Sequence, residues 1–588
     1  MIRLSRVLAM FVVFVLVASA IAFPGTLVSK GAAQDVPTGG TLRLGWLQEQ
    51  DTLNPFVTVT VQGKTMLKLL YDNLVIWNKT LEPVAHLAET WTSTADSLNW
   101  TFQLVDNAKW SDGTDLTAAD VKFTFDLIKD EQLSAYYSNV KFMSSVTTNG
   151  DYEVTVEYSQ AIATVLSDLA TVPIVPEHIW TGMNKSEIAL FTNDDPIGSG
   201  PFVLDSWTKG VSVVLDSNPD YWDGAPYIEK AVFQKFSNTE TLVNALRNGE
   251  IDIIPKELPP TSIALLNADD EVKVTTNTDL YYREISINVN ENGAGNPTLR
   301  DLNVRLALSM AVDKQALIDL VHLGYAEPGT TIVQKAASYW WDSSIEPYPF
   351  DIPAANALLN DSGYMDIDDD GIRESPNGTV EMSYTLLILQ RWPEEMRTGQ
   401  QLQTWWGELG VELTVTAADA NTINSYIYPE YSQDMFIWGY SGQPDPAFSL
   451  LIMLSNEIQN WNDCGYANAT YDALYDDMST ATDVEDRRSI IYEMQGMVYD
   501  DCPYIVLYYM QATGAYRLDT FAGFVNMPTG LLSDLNPYTL REVHLIEAEE
   551  EGAQTDYVPW AIAGVAIIVA VAAVAFAMMK AKKAPPKE

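Results

Sequence analysis

Apolar residues recur at helical spacing between residues 301 and 324, and this stretch is the clearest structural pattern in the chain. Five residues form one apolar face: Val304, Ala307, Leu308, Ala311 and Val312. Asp301 and Asp313 each stand where an aspartate caps a helix, and Gly324 stands where a glycine ends one. The pattern predicts two short buried helices that meet at Asp313.

Weaker patterns predict further elements along the chain. Alternating residues over 41–46 predict a strand, and Thr117 followed by Asp120 predicts a capped helix over 117–128. The remaining expectations are a helix that ends at Gly249 and strands over 251–254, 280–289 and 434–438. The chain is therefore expected to mix helices and strands.

The two ends of the chain are predicted not to belong to this fold. Residues 1–33 resemble a secretory signal peptide, with two arginines ahead of an apolar run and small residues after it. No cysteine follows the run, so a lipid anchor is not expected. Residues 557–579 carry no charge and would span about 30 Å as a helix.

The charges on either side of this apolar segment predict its orientation. An acidic linker over 547–556 precedes it and a lysine-rich tail over 580–588 follows it. By the positive-inside rule the tail is cytoplasmic and the body lies outside the cell. The prediction is a single-pass protein of the cell membrane with an extracytoplasmic body, and a buried core helix is the alternative for 557–579.

Composition narrows the classes of partner. The chain has 588 residues, too many for one average domain, and its net charge is −45 from 79 acidic and 34 basic residues. Such an acidic surface argues against binding to nucleic acid. We expect a monomer. Six Asn-x-Ser/Thr sequons agree weakly with an exported, glycosylated body: Asn78, Asn99, Asn184, Asn360, Asn377 and Asn468.

Several motifs carry a family resemblance. They are VRLAL at 304–308, AVDKQAL at 311–317, WSDGTDLTAADVKFTF at 110–125, PIGSGPF at 196–202 and NPDYWDGAP at 218–226. Together they resemble the family 5 extracytoplasmic solute-binding proteins of ABC transporters, which bind peptides, nickel or oligosaccharides. A C-terminal anchor is similar to that of archaeal members.

The resemblance implies an α/β, bilobal periplasmic-binding-protein-like (type II) fold with an extra subdomain in the first lobe, plus one C-terminal transmembrane helix. The strand over 280–289 would cross between the lobes. The implied divisions are: 41–71, 197–280 and 511–546 for lobe I; 72–196 for the extra subdomain; 281–510 for lobe II.

The resemblance also implies where ligand binds. The segment WGYSGQPDP at 438–446 follows a predicted strand and is the best candidate, together with the loop at 51–54 and the crossing strand. The expected ligand-binding residues are Trp46, Asp51, Asn54, Tyr281, Asn288, Trp438, Tyr440, Gln443 and Asp445. Peptide-binding relatives often have an acid where Gln443 stands, which weakens the case for peptides.

An acidic loop is a candidate metal site. Asp366, Asp368 and Asp370 alternate and Gly371 follows, as in a calcium-binding loop. The twelfth position is Asn377 and not glutamate, so a solvated acidic hairpin is an equal alternative to a structural Ca²⁺ site. No other cofactor is expected.

The two cysteines, Cys464 and Cys502, are predicted to form a disulfide because an even pair in an exported chain is more often bridged than free. On the chain-entropy model the bridge would add about 4 kcal/mol to stability.

The predicted function is a receptor of an ABC importer, which closes two lobes over a short peptide and delivers it to permease subunits driven by cytoplasmic ATPases. An oligosaccharide ligand is the first alternative, since 16 tryptophans and 29 tyrosines suit flat ligands. A structural surface glycoprotein is the second. No enzyme is expected, because neither H-E-x-x-H nor G-x-x-x-x-G-K occurs and the near miss at 439–442 lacks the second glycine of a nucleophile elbow.

Overall fold

The structure is a computed structural model that describes residues 36–546 except Glu257. Its main sheet contains two long neighbouring strands, β12 (Val272–Ile287) and β17 (Tyr504–Arg517). The predicted signal peptide at 1–33 and the segments 547–556, 557–579 and 580–588 lie outside the described residues. The strands are β1 Thr41–Trp46, β2 Val75–Trp77, β3 Pro83–Ala85, β4 Ala88–Ser93, β5 Asn99–Leu104, β6 Met143–Thr148, β7 Glu153–Tyr158, β8 Phe202–Thr208, β9 Ser212–Ser217, β10 Lys230–Lys235, β11 Ile253–Ile254, β12 Val272–Ile287, β13 Ala326–Pro328, β14 Ser383–Leu389, β15 Glu412–Ala418, β16 Met435–Ser441, β17 Tyr504–Arg517, β18 Phe521–Ala522 and β19 His544–Leu545.

Helices connect most of these strands. They are α1 Val61–Leu70, α2 Ala118–Asp130, α3 Tyr137–Val140, α4 Val165–Leu169, α5 Glu177–Trp180, α6 Lys185–Leu190, α7 Thr239–Arg247, α8 Pro260–Asn267, α9 Leu302–Met310, α10 Lys314–His322, α11 Ile352–Asp361, α12 Pro393–Gly407, α13 Ala420–Ile427, α14 Ala447–Leu451, α15 Ala469–Thr480, α16 Val484–Asp501 and α17 Tyr538–Glu542, with short 3-10 helices at Pro297–Arg300 and Ser455–Glu457.

The main sheet runs in the order β15-β14-β16-β12-β17-β11-β1-β10-β9-β8, and β13 also pairs with β17. β12 has 16 residues and β17 has 14, and they pair antiparallel along most of their length. Within β12, only the second part pairs with β16. β11 pairs with the last residues of β17. These two strands therefore carry the sheet from one half of the fold into the other.

The ladder between the two long strands is interrupted twice, once between Arg283 and Glu284 and once near its middle. The register shifts between Thr278 and Tyr282, and the partner residues there run from Gln511 to Tyr509. Such an irregularity bends a sheet locally. It lies beside the predicted lobe boundaries at 280/281 and 510/511, which remain a prediction.

The helical pair predicted at 301–324 is confirmed. The Asp301 carboxylate accepts a hydrogen bond from the Asn303 amide and caps α9, and the Asp313 carboxylate accepts one from the Ala316 amide and caps α10. The five apolar residues of the predicted face are each at most 1% exposed. Burying a large aliphatic side chain contributes about 1.5–3 kcal/mol, so the amphipathic pattern stabilises this pair.

The capped helix near Thr117 is also confirmed. α2 begins after Thr117, and the capping box with Asp120 is formed on both sides. Residues 88–158 contain a separate antiparallel sheet in the order β4-β5-β7-β6, within the stretch predicted as the extra subdomain. Its core residue Phe102 is fully buried.

The membrane expectation is corrected. Along the described residues no helix combines the length and the apolar character needed to cross a lipid bilayer. The fold class that includes a C-terminal transmembrane helix and the single-pass location in the cell membrane therefore have no support in the structure. The segment on which both were based, 557–579, lies outside the described residues.

The disulfide expectation is corrected as well, because Cys464 and Cys502 are both free and buried thiols. Each sulfur lies near a different polar partner: Cys464 Sγ is 3.5 Å from Asn462 Oδ1, and Cys502 Sγ is 3.8 Å from the carbonyl oxygen of Arg305. Burial raises the pKa of both thiols, so they are held in their neutral form.

Candidate functional site

The candidate site lies where β16 and its connection to α14 meet the middle of β12. Tyr282 pairs with Tyr440, and Glu284 pairs with Trp438. Paired residues of antiparallel strands point to the same face, so these four side chains share one side of the sheet. The tyrosine rings of Tyr282 and Tyr440 have centroids 6.2 Å apart.

Six of the predicted ligand-binding residues keep surface that a ligand could contact. Asp51 and Gln443 are exposed, and the other four are half-buried: Trp46, Tyr281, Trp438 and Tyr440. Trp46 packs on Phe233 with ring centroids 4.8 Å apart, beside a cavity of about 40 Å³.

The side chains of Asp51 and Asn54, in the loop at 51–54, form hydrogen bonds within the protein. The Asp51 carboxylate accepts hydrogen bonds from the hydroxyls of Thr58 and Thr60 and from the Val59 amide. Burial opposes ionisation of Asp51, but these hydrogen bonds outweigh it and lower its pKa. The fully buried Asn54 donates to the carbonyls of residues 188 and 191. Both side chains hold the loop together, and their predicted contacts with ligand stay predictions.

Asn288 likewise has a structural role. Its side chain is 3% exposed, and its amide donates to the carbonyl oxygens of Tyr431 and Gln433, at 2.6 and 2.7 Å. The side-chain oxygen accepts from the Asn290 amide. Through these hydrogen bonds Asn288 ties the end of β12 to the start of β16, and its predicted contact with ligand stays a prediction.

Asp445 forms a buried ion pair that sequence reasoning missed. Its two carboxylate oxygens lie 2.6 and 2.8 Å from the guanidinium nitrogens of Arg487, and Ser167 donates a further hydrogen bond. Burial disfavours the charged carboxylate, but the Arg487 guanidinium outweighs it and lowers the pKa of Asp445. The Arg487 guanidinium also stacks over Trp340, 4.7 Å from the ring centroid. Asp445 therefore has a structural role in this ion pair, and its predicted contact with ligand stays a prediction.

A second acid, Asp463, was not predicted and lies among hydroxyl groups. Ser286, Tyr440 and Tyr504 each donate a hydrogen bond to its carboxylate, at 3.0, 2.7 and 2.5 Å. Burial raises the pKa of Asp463 despite these hydrogen bonds. The hydrogen bond to Asp463 also fixes the position of Tyr440, which was predicted to contact ligand.

Glu284 was also missed, although β12 offered a signal. Charged residues are rarely buried, and Arg283 and Glu284 stand adjacent between Tyr282 and Ile285. They point to opposite faces. Arg283 lies 3.4 Å from the ring centroid of Trp392 and 3.6 Å from the Glu395 carboxylate, whereas Glu284 is fully buried beside Asp463.

The acidic loop brings four carboxylates together. Oxygens of Asp366, Asp368, Asp370 and Glu374 all lie within 4.8 Å of one another. Glu374 occupies the ninth loop position and is buried, an additional acid that the sequence interpretation overlooked. Asn377, the weak twelfth position, instead accepts hydrogen bonds from Ser375 and Thr379. Four oxygen ligands suit a hard cation such as Ca²⁺, and the metal site remains a prediction.

The sequence of this chain is similar to those of known solute-binding proteins. The model of the bacterial extracellular solute-binding proteins, family 5 middle, matches residues 82–461. An ABC transporter peptide-binding protein of Brucella ovis is 26% identical over 438 residues, covering 73% of this chain and 79% of that protein. The glutathione-binding protein GsiB of Shigella dysenteriae is 26% identical over 496 residues, covering 81% of this chain and 90% of that protein.

A solved structure shares the fold. The oligopeptide-binding protein AppA from Bacillus subtilis, in complex with a nonapeptide, superposes with a TM-score of 0.65 at 23% identity, covering 87% of this chain and 100% of that chain. This likeness supports the bilobal α/β fold. The matched family is described as bacterial, so the archaeal type inferred from the C-terminal segment gains no support.

The family match extends over most of the described fold, from the first small sheet to the segment beyond β16. It includes the helical pair at 301–324 and the segment 438–446 that carries the candidate site. This chain belongs to family 5 of the bacterial extracellular solute-binding proteins.

Proposed function

We propose that this protein captures short peptides by closing its two lobes and delivers them to the permease subunits of an ABC importer. The geometry that supports the proposal is the pair of long strands β12 and β17, which join the two halves of the sheet and are interrupted between Thr278 and Tyr282. A hinge of this kind lets two lobes move as bodies. Ligand contacts on both lobes would then favour the closed state.

The proposed contacts are the predicted side chains that keep accessible surface and lie outside the loop at 51–54: Trp46, Tyr281, Trp438, Tyr440 and Gln443. Trp46 ends β1 on one side of the crossing, and the other four lie on or beside β12 and β16. The named relatives that bind peptides or glutathione support a peptide ligand over other classes. Oligosaccharides are the second candidate, because half-buried Trp438 and Tyr440 present aromatic rings suited to sugar faces.

Calorimetry of the protein against short peptides and oligosaccharides tests the proposal. Peptides are expected to bind, with a micromolar dissociation constant corresponding to about 8 kcal/mol. Trp438→Ala is expected to weaken binding by about 10- to 100-fold, since buried aromatic contacts contribute about 1.5–3 kcal/mol.

A matched control is Trp207→Ala, which removes a half-buried tryptophan from β8 at the far edge of the sheet. This variant should bind like the unmodified protein. Binding of oligosaccharides alone would favour the second candidate, and absence of any binding would contradict both.

A further inference from the structure

Glu284 is a fully buried carboxyl group that no protein donor satisfies. It lies in the middle of β12, paired with Trp438 on one side and Val506 on the other, and its exposure is 0%. Among the described residues none donates a hydrogen bond to either carboxylate oxygen. Burial of such a group is costly unless it meets a cation or is protonated, so its presence in a central strand calls for a function.

The surroundings of Glu284 are acidic and aromatic. Burial raises the pKa of Glu284 well above its usual range; the negative charge of Asp463 adds to this, Arg283 opposes it and Glu395 contributes less. The hydrogen bonds that Asp463 accepts from side chains come from the neutral hydroxyls of Ser286, Tyr440 and Tyr504.

The Arg283 guanidinium, which opposes the raised pKa of Glu284, is held by other groups. Arg283 points to the opposite face of β12, where Trp392 and Glu395 hold its guanidinium. The face that carries Glu284 therefore presents two carboxyl groups with no basic side chain hydrogen-bonded to either among the described residues.

Aromatic rings flank this acidic pair. Tyr282 and Tyr440 lie next to Glu284 on the same face, and the Tyr282 hydroxyl has no hydrogen-bond partner within the described part of the chain. Trp438 and Tyr440 are half-buried, so the face reaches the surface at this point. Carboxylates combined with aromatic faces are a favourable environment for an ammonium group.

We infer that Glu284, with Asp463 and the rings of Tyr282, Tyr440 and Trp438 around it, binds a primary ammonium group of the ligand. Two parts of a peptide have this chemistry, the free amino terminus and a lysine side chain. The inference rests on the proposed function, because it assumes a peptide ligand. It assigns recognition of charge to Glu284 in place of the predicted positions Gln443 and Asp445.

The test measures binding of three peptides to the full chain by calorimetry: trialanine, N-acetyl-trialanine and N-acetyl-Ala-Lys-Ala. Glu284→Gln is expected to weaken binding of an ammonium-bearing peptide by about 10- to 100-fold, as expected for loss of a charge-assisted hydrogen bond. N-acetyl-trialanine should bind the variant and the unmodified protein equally. A loss confined to trialanine identifies the amino terminus, and a loss confined to the lysine peptide identifies the side chain.

Glu291→Gln is the matched control, because it removes the same charge from an exposed residue just after β12. Its affinities should be unchanged. Thermal unfolding of Glu284→Gln should show a melting temperature equal to or above that of the unmodified protein, since the change removes a buried ionisable group.

Proton release on peptide binding is a quantity that a purely structural role of Glu284 would not change. Burial raises the pKa of Glu284 well above its usual range, and an arriving ammonium group favours the ionised carboxylate, so binding is expected to release a proton. Calorimetry in buffers of different ionisation enthalpy should detect a released proton, and Glu284→Gln should abolish it.

Unchanged affinity and unchanged proton release in Glu284→Gln would overturn the inference while leaving peptide capture intact. If none of the three peptides binds the unmodified protein, peptide capture and the role of Glu284 both fail.

Discussion

At the scale of single residues, the charged groups near the candidate site have two kinds of environment. Asp445 is buried but fully paired by Arg487, so it is ionised and structural. Glu284 is buried without a protein donor. The difference is decided by whether a guanidinium reaches the carboxylate, because burial is a cost in both cases.

We expect Asp445→Asn to lower the free energy of unfolding by about 3–5 kcal/mol, since it leaves the buried Arg487 without its counter-charge. Urea denaturation measures the change. Gln443→Ala, which alters an exposed neighbour, should cost less than about 0.5 kcal/mol. An Asp445 variant of normal stability that no longer binds ligand would instead make Asp445 a ligand contact.

Glu395 should make stability depend on pH. Burial raises its pKa to about 7 although Arg283 opposes the shift, whereas an unfolded glutamate titrates near pKa 4.3. Because the folded pKa is the higher one, the contribution of Glu395 to stability is complete below about pH 4 and is lost as the pH rises towards 7. Glu395→Gln should therefore gain melting temperature relative to the unmodified protein between pH 5 and pH 8.

The Glu395→Gln comparison is made by thermal unfolding at several pH values. Glutamine can still accept the hydrogen bond that the Leu389 amide donates to Glu395. Glu291→Gln, at an exposed residue, is the control and should not reproduce this pH-dependent gain. Parallel pH profiles for Glu395→Gln and the unmodified protein would refute the assignment.

At the scale of elements, the glycines of one family motif allow two backbone segments to pack closely. A Cβ atom on Gly198 would lie 1.9 Å from the carbonyl oxygen of Leu70, and one on Gly200 would lie 2.5 Å from that of Leu69. The turn at 196–202 therefore packs directly on the end of α1. This close approach explains why glycine is needed there, independently of any ligand.

Gly198→Ala is expected to lower the free energy of unfolding by at least about 1–3 kcal/mol, because the added methyl group overlaps a backbone atom. Gly496→Ala within α16 is the matched change: a Cβ there meets nothing within 4 Å. It should raise stability by about 0.5–1 kcal/mol. Equal effects of the two substitutions in urea denaturation would contradict the packing argument.

The acidic loop should respond to calcium. We expect CaCl₂ at ten times the dissociation constant to stabilise the protein by about 1.4 kcal/mol, and EDTA to reverse the gain in melting temperature. Asp368→Asn should weaken the response because it removes one of the four clustered carboxylates. Asp369→Asn is the control, since Asp369 lies outside that cluster and its φ of +64° suits asparagine. A response that survives in Asp368→Asn would exclude this loop.

At the scale of the whole molecule, the continuous sheet has consequences for motion. β12 and β17 link the two halves, so their relative movement requires bending near the break between Thr278 and Tyr282. The other described strands of the main sheet pair within one half or the other. Movement at this break would alter the surroundings of Tyr281 and Tyr440 together.

Peptide binding should therefore make the protein more compact. Small-angle scattering with and without a peptide that calorimetry shows to bind is expected to give a smaller radius of gyration in the complex, as ligand contacts favour the closed arrangement. Trp438→Ala at the same peptide concentration should show less compaction. Binding with no change in the scattering curve would refute lobe closure.

Much of the local structure follows from sequence alone. The caps at Asp301, Asp313 and Thr117 and the buried face of α9 depend on residues within one or two turns of each other, so local pattern determines them. The family motifs also suffice to predict the bilobal α/β fold. Strand ends were predicted less well: β12 begins at Val272 and not at 280, because its first half is stabilised by pairing with distant β17.

The roles of individual side chains depend on tertiary structure. Asp445 is near Arg487, and Asp463 is near Ser286, only because the chain folds back over 42 and 177 positions. Whether a carboxyl group is paired, capped or left for a ligand is decided by partners that are remote in sequence. The sequence by itself therefore determined the elements and the family, whereas only the folded chain decided that Asn54, Asn288 and Asp445 are structural and that Glu284 is unpaired, since burial and ion pairing are properties of distances in space.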